Sequence, residues 1–302
     1  MAVNATVSRS TMPDGLRDAV LGWYDARGRS LPFRGTTDPY AVLVSEIMAQ
    51  QTQISRVAPA WIAFMAAFRT IDDLAAASPA DVLRAWRGMG YNRRALNLWR
   101  TARLVVEEHG GRLPSDIATL EQLPGIGPYT ARAVAAIAFR APVGAVDTNV
   151  RRVLNRAVGG AIDAFPAREL QRVADAAVPA NRPADWTHAL MDVGARFCRT
   201  TRPLCAECPA VAACRYAAGE PIDPSARRSR GSSLPFTATS RWLRGRILDR
   251  VREADGAGWV RFDKEIGSHD RETVTDVLTT LAGEGLLELH RADPRRARLP
   301  VS

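Results

Sequence analysis

A chain of 302 residues exceeds one typical domain, and 46% hydrophobic with 24% charged residues are the proportions of a globular protein with a sizeable core. The formal net charge of +9 suits a polyanionic partner, and it is carried almost wholly by arginine because Lys264 is the sole lysine. No apolar run approaches the roughly 18 residues of a membrane span, and "MAVNATVSRSTMPDG" lacks the apolar core of a secretion signal. The expected setting is therefore cytoplasmic, with no membrane partner.

In chain order, "GLRDAVLGWYDARG" has helical spacing, with Leu16, Val20 and Trp23 on one face. "LPFRGTTDPY" is a Pro-containing loop, and Asp38-Pro39 opens a helix that runs through "AVLVSEIMAQQ" to about Gln51. Further helices are predicted near 53–67, 79–87, 92–108, 116–122, 128–139, 148–158, 167–178 and 184–197. Strand signals are nearly absent before residue 200, so this body is all-α with short connections. "GEPIDPSARRSRGSSLPFTATS" (219–240) is rich in Pro, Ser, Gly and Arg and reads as a linker. A small α+β unit, winged-helix-like in its order, is expected over 241–302. Its helices fall at 241–254 and about 270–283, with "LLELH" and "ARLPV" as short strands.

Between two of the helices lies "LPGIGPYTARAV", which has neither the dinucleotide-binding nor the ATP-binding glycine pattern. Helix, Gly-x-Gly turn, helix is a helix-hairpin-helix arrangement. Gly125 and Gly127 would let backbone N–H groups and the N-terminus of the following helix approach a DNA phosphate. Such contacts position a protein without reading sequence. An ordinary tight turn between helices is the competing reading.

All four cysteines, Cys198, Cys205, Cys208 and Cys214, fall in one C-x6-C-x2-C-x5-C loop. Clustering of this kind reads as a metal site and not as a disulfide framework. Four thiolates suit zinc or a [4Fe–4S] cluster. The single C-x2-C knuckle favours the cluster, and Arg199, Arg202 and Arg215 surround it with positive charge.

The hairpin, the aspartate that follows it in "VDTNVRRV" and the cysteine loop together resemble the helix-hairpin-helix DNA glycosylases. "LPFRGTTDPYAVLVSEIMAQQTQ" and "GMGYNRRALNL" look most like the adenine-specific mismatch glycosylases, the MutY family, and the resemblance covers about residues 15–218. It implies a glycosylase domain over 1–218 that holds a [4Fe–4S] cluster at the four cysteines. The implied partner is duplex DNA containing a mismatch, met by a monomer. The implied activity is release of adenine mispaired with 8-oxoguanine or guanine. By the same resemblance Glu46 is the general acid that protonates adenine N7, and Asp147 stabilises the sugar cation. Tyr129 and Asn149 orient the two carboxylates, Arg34 lies beside the adenine, and Gln51 and Tyr91 fill or wedge the gap left by the flipped base.

Elementary chemistry agrees with that division of labour. Breaking an N-glycosidic bond leaves an oxocarbenium-like sugar that an ionised carboxylate can stabilise, and adenine departs readily only when protonated. Glu46 sits in the apolar run "AVLVSEIMA", where burial would raise its pKa. "VDTN" before a helix also fits plain N-cap chemistry at Asp147. Strand-cutting members of the superfamily, such as endonuclease III, use a lysine near the hairpin; Tyr129 stands at that position here, so a monofunctional enzyme is expected.

Phe33, Asn92 and Thr148 depart from the family's usual residues, and the C-terminal unit is about half the length of the domain that reads 8-oxoguanine in many members. Two alternatives stand beside adenine release. One is a thymine- or uracil-specific glycosylase acting opposite guanine; the other is a non-catalytic mismatch-binding module.

Overall fold

The computed structural model describes residues 10–219, 235–254 and 258–301. In chain order the helices are α1 (Leu16–Arg27), α2 (Pro39–Ala49), α3 (Ile54–Ala67), α4 (Ile71–Ala76), α5 (Pro79–Ala85), α6 (Arg93–His109) and α7 (Ile117–Gln122). They continue as α8 (Pro128–Ile137), α9 (Thr148–Ala157), α10 (Ala167–Ala177), α11 (Pro183–Arg196), α12 (Arg215–Ala218), α13 (Ser240–Glu253) and α14 (Arg271–Gly283). Strands β1 (Val260–Arg261), β2 (Glu288–His290) and β3 (Asp293–Arg298) complete the described chain. No helix among the described residues is long and apolar enough to cross a membrane.

Two compact units interleave along the sequence. The first comprises residues 1–46, 114–122 and 126–227. Its core is one apolar cluster in which Leu16 and Val20 of α1 meet Val150, Val153 and Leu154 of α9, Leu170 and Val173 of α10, and Trp186, Leu190 and Val193 of α11. These are i, i+3, i+4 positions, and burying that stripe is what makes the short helices stable. Helix α2 differs: its sequence PYAVLVSEIMA is apolar nearly all round, and residues 40–48 are buried throughout. Asp38 starts it by accepting hydrogen bonds from the N–H groups of Tyr40 and Ala41 at 3.2 and 3.3 Å.

The second unit comprises residues 47–113, 123–125 and 228–302. Phe64 of α3 packs edge-on against Phe68 and Trp86, with ring centroids 4.9 and 5.8 Å apart. Thr70 and Asp73 close a capping box at the start of α4, a short helix that the apolar periodicity does not disclose. Helices α13 and α14 bury Leu243, Ile247, Val274, Leu278 and Leu281. Beside them lies an antiparallel sheet of order β1–β3–β2, with Ala297 paired to both Val260 and Leu289.

The "LLELH" segment contains β2. The last strand, however, runs over DPRRAR at 293–298 and ends before most of "ARLPV", while β1 at 260–261 carries no sequence signal at all. Most of the segment read as a linker, 220–234, lies outside the described residues; beyond it, a 3-10 turn at Phe236–Ala238 leads into α13.

Candidate active site and cysteine loop

Helix α2 carries Glu46 into the interior of the first unit, where the residue is 8% exposed. Burial is the largest influence on its carboxyl and raises the pKa to about 7; the charge of Asp147 adds to the rise, while a hydrogen bond from Tyr129 and the charge of Arg34 oppose it. Tyr129 sits on the first turn of α8, directly after the hairpin, and its hydroxyl donates to Glu46 Oε2 at 2.8 Å. Burial and the two nearby carboxylates push the phenol well above its ordinary range, so Tyr129 acts only as a neutral donor.

Asp147 is the N-cap of α9. Its Oδ1 accepts from the backbone N–H groups of Asn149 and Val150 at 2.9 and 2.6 Å, and its Oδ2 accepts from Asn149 Nδ2 at 2.9 Å. The α9 N-terminus thus stabilises negative charge on Asp147 and fixes the plane of its carboxylate. Asn149 is itself oriented, because its Oδ1 accepts from Arg152 Nη2 at 2.8 Å, and Arg152 also donates to the carbonyls of Gly194 and Cys198. A Cβ at Gly194 would lie 2.6 Å from Asn149 Cβ, so α11 approaches α9 this closely only because residue 194 is glycine.

Arg34, buried to 8% side-chain exposure, makes a two-pronged contact with Asp192 of α11 at 2.6 and 2.7 Å. Arg29 adds contacts to the same carboxylate at 2.6 and 3.0 Å through its side chain and its backbone N–H. Burial alone would raise the pKa of Asp192, but the hydrogen bonds and charges of Arg34 and Arg29 outweigh it and hold the carboxyl below its ordinary value. His188 on the same helix is driven down to about 4 by burial and by Arg34, so it is neutral at physiological pH. No motif marks Asp192. Its only sequence signal is a lone carboxylate in the apolar run "HALMDVGA".

In the hairpin, Gly125 has a positive φ of 79°, and a Cβ there would meet Asn97 Cβ at 2.8 Å, so glycine is required twice over. Gly127 has ordinary extended backbone as the N-cap of α8, and the space where its Cβ would stand is open.

Gln51 and Tyr91 belong to the second unit. Both are exposed, both adopt left-handed backbone with φ of 51° and 45°, and both line a cavity of about 740 Å³. Arg94 fixes the two turns that carry them. Its Nη1 donates to the carbonyls of Ile47, Met48 and Gln50 at 2.5–3.0 Å, and its Nη2 donates to Thr52 Oγ1 and to the carbonyls of Met89 and Gly90 at 3.1–3.2 Å.

All four cysteines line one small cavity together with Phe197 and Tyr216. Arg156, 3% exposed, reaches Cys198 Sγ at 3.4 Å and the carbonyl of Arg199 at 2.7 Å. Burial, with the mutual repulsion of the other three sulfurs, pushes the Cys208 thiol up to about 11. Thiolates there call for a cationic centre among them. Among the described residues no three cysteine, histidine or carboxylate groups are arranged to hold a metal ion, which is the disposition of a mononuclear site. In a multi-iron cluster each thiolate binds its own iron, and four cysteines lining one cavity are the donor set such a group takes.

The family description that matches, over residues 44–176, is the HhH-GPD superfamily of base excision DNA repair proteins. Among curated proteins the chain is 45% identical over 239 residues to the adenine DNA glycosylase of Mycolicibacterium smegmatis, covering 78% of this chain and 80% of that one. It is 42% identical over 241 residues to the adenine DNA glycosylase of Mycobacterium tuberculosis H37Rv, covering 78% of each. The human adenine DNA glycosylase is 43% identical over 213 residues, which are 66% of this chain and 39% of the human one. Among solved structures, a thermostable thymine-DNA glycosylase matches with a TM-score of 0.63 and 30% identity, over 67% of this chain and 94% of that one. A trapped endonuclease III–DNA covalent intermediate matches in fold, with a TM-score of 0.58 and 24% identity over 67% and 94%. The chain belongs to the helix-hairpin-helix base excision repair superfamily and, within it, to the MutY family of adenine DNA glycosylases.

Proposed function

We propose that this protein is a monofunctional DNA glycosylase that hydrolyses the N-glycosidic bond of adenine mispaired with 8-oxoguanine or guanine. The observation that carries this reading is Glu46: a buried carboxyl with a pKa near 7, held by Tyr129 and within electrostatic reach of Asp147. One carboxyl tuned to neutrality beside a second that caps a helix gives the acid–stabiliser pair that the reaction needs.

The target adenine leaves the stack, at a cost of a few kcal/mol that a mismatch reduces. Protonated Glu46 delivers its proton to adenine N7, the N9–C1′ bond breaks, and the electron pair departs with the base. Asp147, fixed by Asn149 and the α9 N-terminus, faces the positive charge that develops on the sugar. Water then adds to C1′, and the Glu46 carboxylate left by the first step accepts its proton. Tyr129 occupies the place where strand-cutting relatives carry lysine, and Lys264 stands between β1 and α14 in the other unit. Schiff-base cleavage of the strand has no amine nucleophile in this scheme.

Duplex DNA is the proposed partner of a monomer. The net charge of +9, the α8 N-terminus and the open space at Gly127 suit phosphates approaching the hairpin. Cys198, Cys205, Cys208 and Cys214 would hold a [4Fe–4S] cluster, which supplies a rigid, redox-capable cross-link of the loop when bound. Arg156 and Arg152 support that loop through Cys198.

The likeness to a thymine-DNA glycosylase supports a second reading, thymine release opposite guanine. One panel of duplexes tests both: A opposite 8-oxoguanine, G or C, and T or U opposite G, with free base and strand integrity measured. Adenine release with an intact strand is expected. Thymine release alone would establish the second reading, and no base release from any duplex would leave only a binding module.

A further inference from the structure

Resting on the function proposed above, we infer that Arg241 of α13 is a positioning residue that holds the Tyr91 side chain ready for insertion into the gap left by the adenine. Arg241 lies outside the segment matched by the superfamily description.

The backbone of the turn that bears Tyr91 is fixed. Gly88 and Gly90 take positive φ values of 81° and 66°, Trp86 Nε1 donates to the Gly90 carbonyl at 3.1 Å, and Arg94 grips the carbonyls of Met89 and Gly90. The side chain is a different matter. Tyr91 is 43% exposed, and two guanidinium groups meet its ring, with Arg94 at 5.5 Å and Arg241 at 4.4 Å from the centroid. Among the described residues no carboxylate pairs with Arg241, so its charge is directed at the ring.

Helix α13 is held where this contact requires it. Arg252, with a side chain 5% exposed, donates to the Leu83 carbonyl of α5 at 2.9 Å and to Asn92 Oδ1 at 2.6 Å. Asn92 is the N-cap of α6 and the neighbour of Tyr91 in sequence. Arg244 pairs with Glu284 at 2.5 Å and secures α13 to α14. The C-terminal unit is thereby stapled to the turn that presents the ring. A guanidinium over a half-exposed ring restricts its rotamers before DNA arrives, so less side-chain entropy is lost when the ring inserts.

A double-mutant cycle under single-turnover conditions, on A opposite 8-oxoguanine, tests the assignment. R241A should slow excision about fivefold, the factor equivalent to a cation–π contact of about 1 kcal/mol. R241K should recover most of the rate. In a Y91A background R241A should add nothing, because the residue acts through the ring. The salt slope of duplex binding should stay unchanged, whereas loss of a phosphate contact would lower it by about one. Fluorescence of 2-aminopurine placed at the mismatch should show the same deficit in unstacking without any excision. That readout separates the two ideas, since a wild-type protein that releases no adenine refutes the function while the fluorescence still tests Arg241. An R241A rate equal to wild type, equal slowing with and without Tyr91, or a salt slope reduced by one would each overturn the inference.

Discussion

Tyr129 donates a 2.8 Å hydrogen bond to Glu46, joining the first turn after the hairpin to the interior of α2. The bond favours the ionised carboxylate and so opposes the rise that burial imposes on its pKa. Tyr129→Phe removes that opposition. The Glu46 pKa should move above 7, and the alkaline limb of the excision profile should shift to higher pH while the maximal rate falls through looser orientation. A pH series of single-turnover rates reads both effects, and an unshifted limb would show that the hydroxyl does not act on Glu46.

Glu46 also leaves a signature in stability. Its folded pKa of about 7 exceeds the ordinary 4.5, so the folded state is favoured when the group is protonated. That contribution is complete below pH about 4.5 and is lost as pH rises through about 7. Glu46→Gln cannot ionise. It should therefore be more stable than wild type at pH 8, by on the order of 3 kcal/mol, and close to wild type at pH 4.5. Urea denaturation at the two pH values checks the difference.

Gly194→Ala would place a methyl group 2.6 Å from Asn149 Cβ. Overpacking of this kind costs about 1–3 kcal/mol and must move α9 or α11. Asn149 then loses its register with Asp147, and excision should fall at least tenfold with iron content preserved. Rates that stay at wild type would mean that Asn149 does not position the aspartate.

At the cysteine loop, anaerobically purified protein should be brown, with about four irons per chain and broad absorption near 400 nm, roughly as such clusters show. Cys205→Ser should lose iron and weaken duplex binding more than it alters the pocket. Stoichiometric zinc without iron would replace the cluster by a structural zinc site.

Most of the helical body was legible because its signals are local. The apolar stripes of α1, α9 and α11, the Pro at the start of α8 and the glycine of the hairpin each act within a few residues. The same locality exposed the four cysteines and the buried setting of Glu46. Asp192 was not legible, since its meaning comes from Arg29 and Arg34 about 160 positions away. Strand β3 escaped because DPRRAR has no apolar alternation; it is held through Ala297 and through ion pairs such as Arg298 with Glu288. The hold of Arg94 on two left-handed turns was hidden for a related reason, since an arginine in "NRRAL" reads as an exposed helix residue.

The division of roles between Glu46 and Asp147 is tested most directly by single-turnover release of adenine opposite 8-oxoguanine, measured across pH for wild type, Glu46→Gln and Asp147→Asn. The wild-type rate should fall with a midpoint near pH 7 as Glu46 loses its proton. Each variant should lose about 10²–10⁴-fold or more, the range of general acid–base catalysis, yet still bind the duplex. With a leaving group that departs without N7 protonation, Glu46→Gln should regain much of its rate and Asp147→Asn should not. A folded Asp147→Asn protein that excises adenine at the wild-type rate would reduce Asp147 to a helix cap and contradict the mechanism.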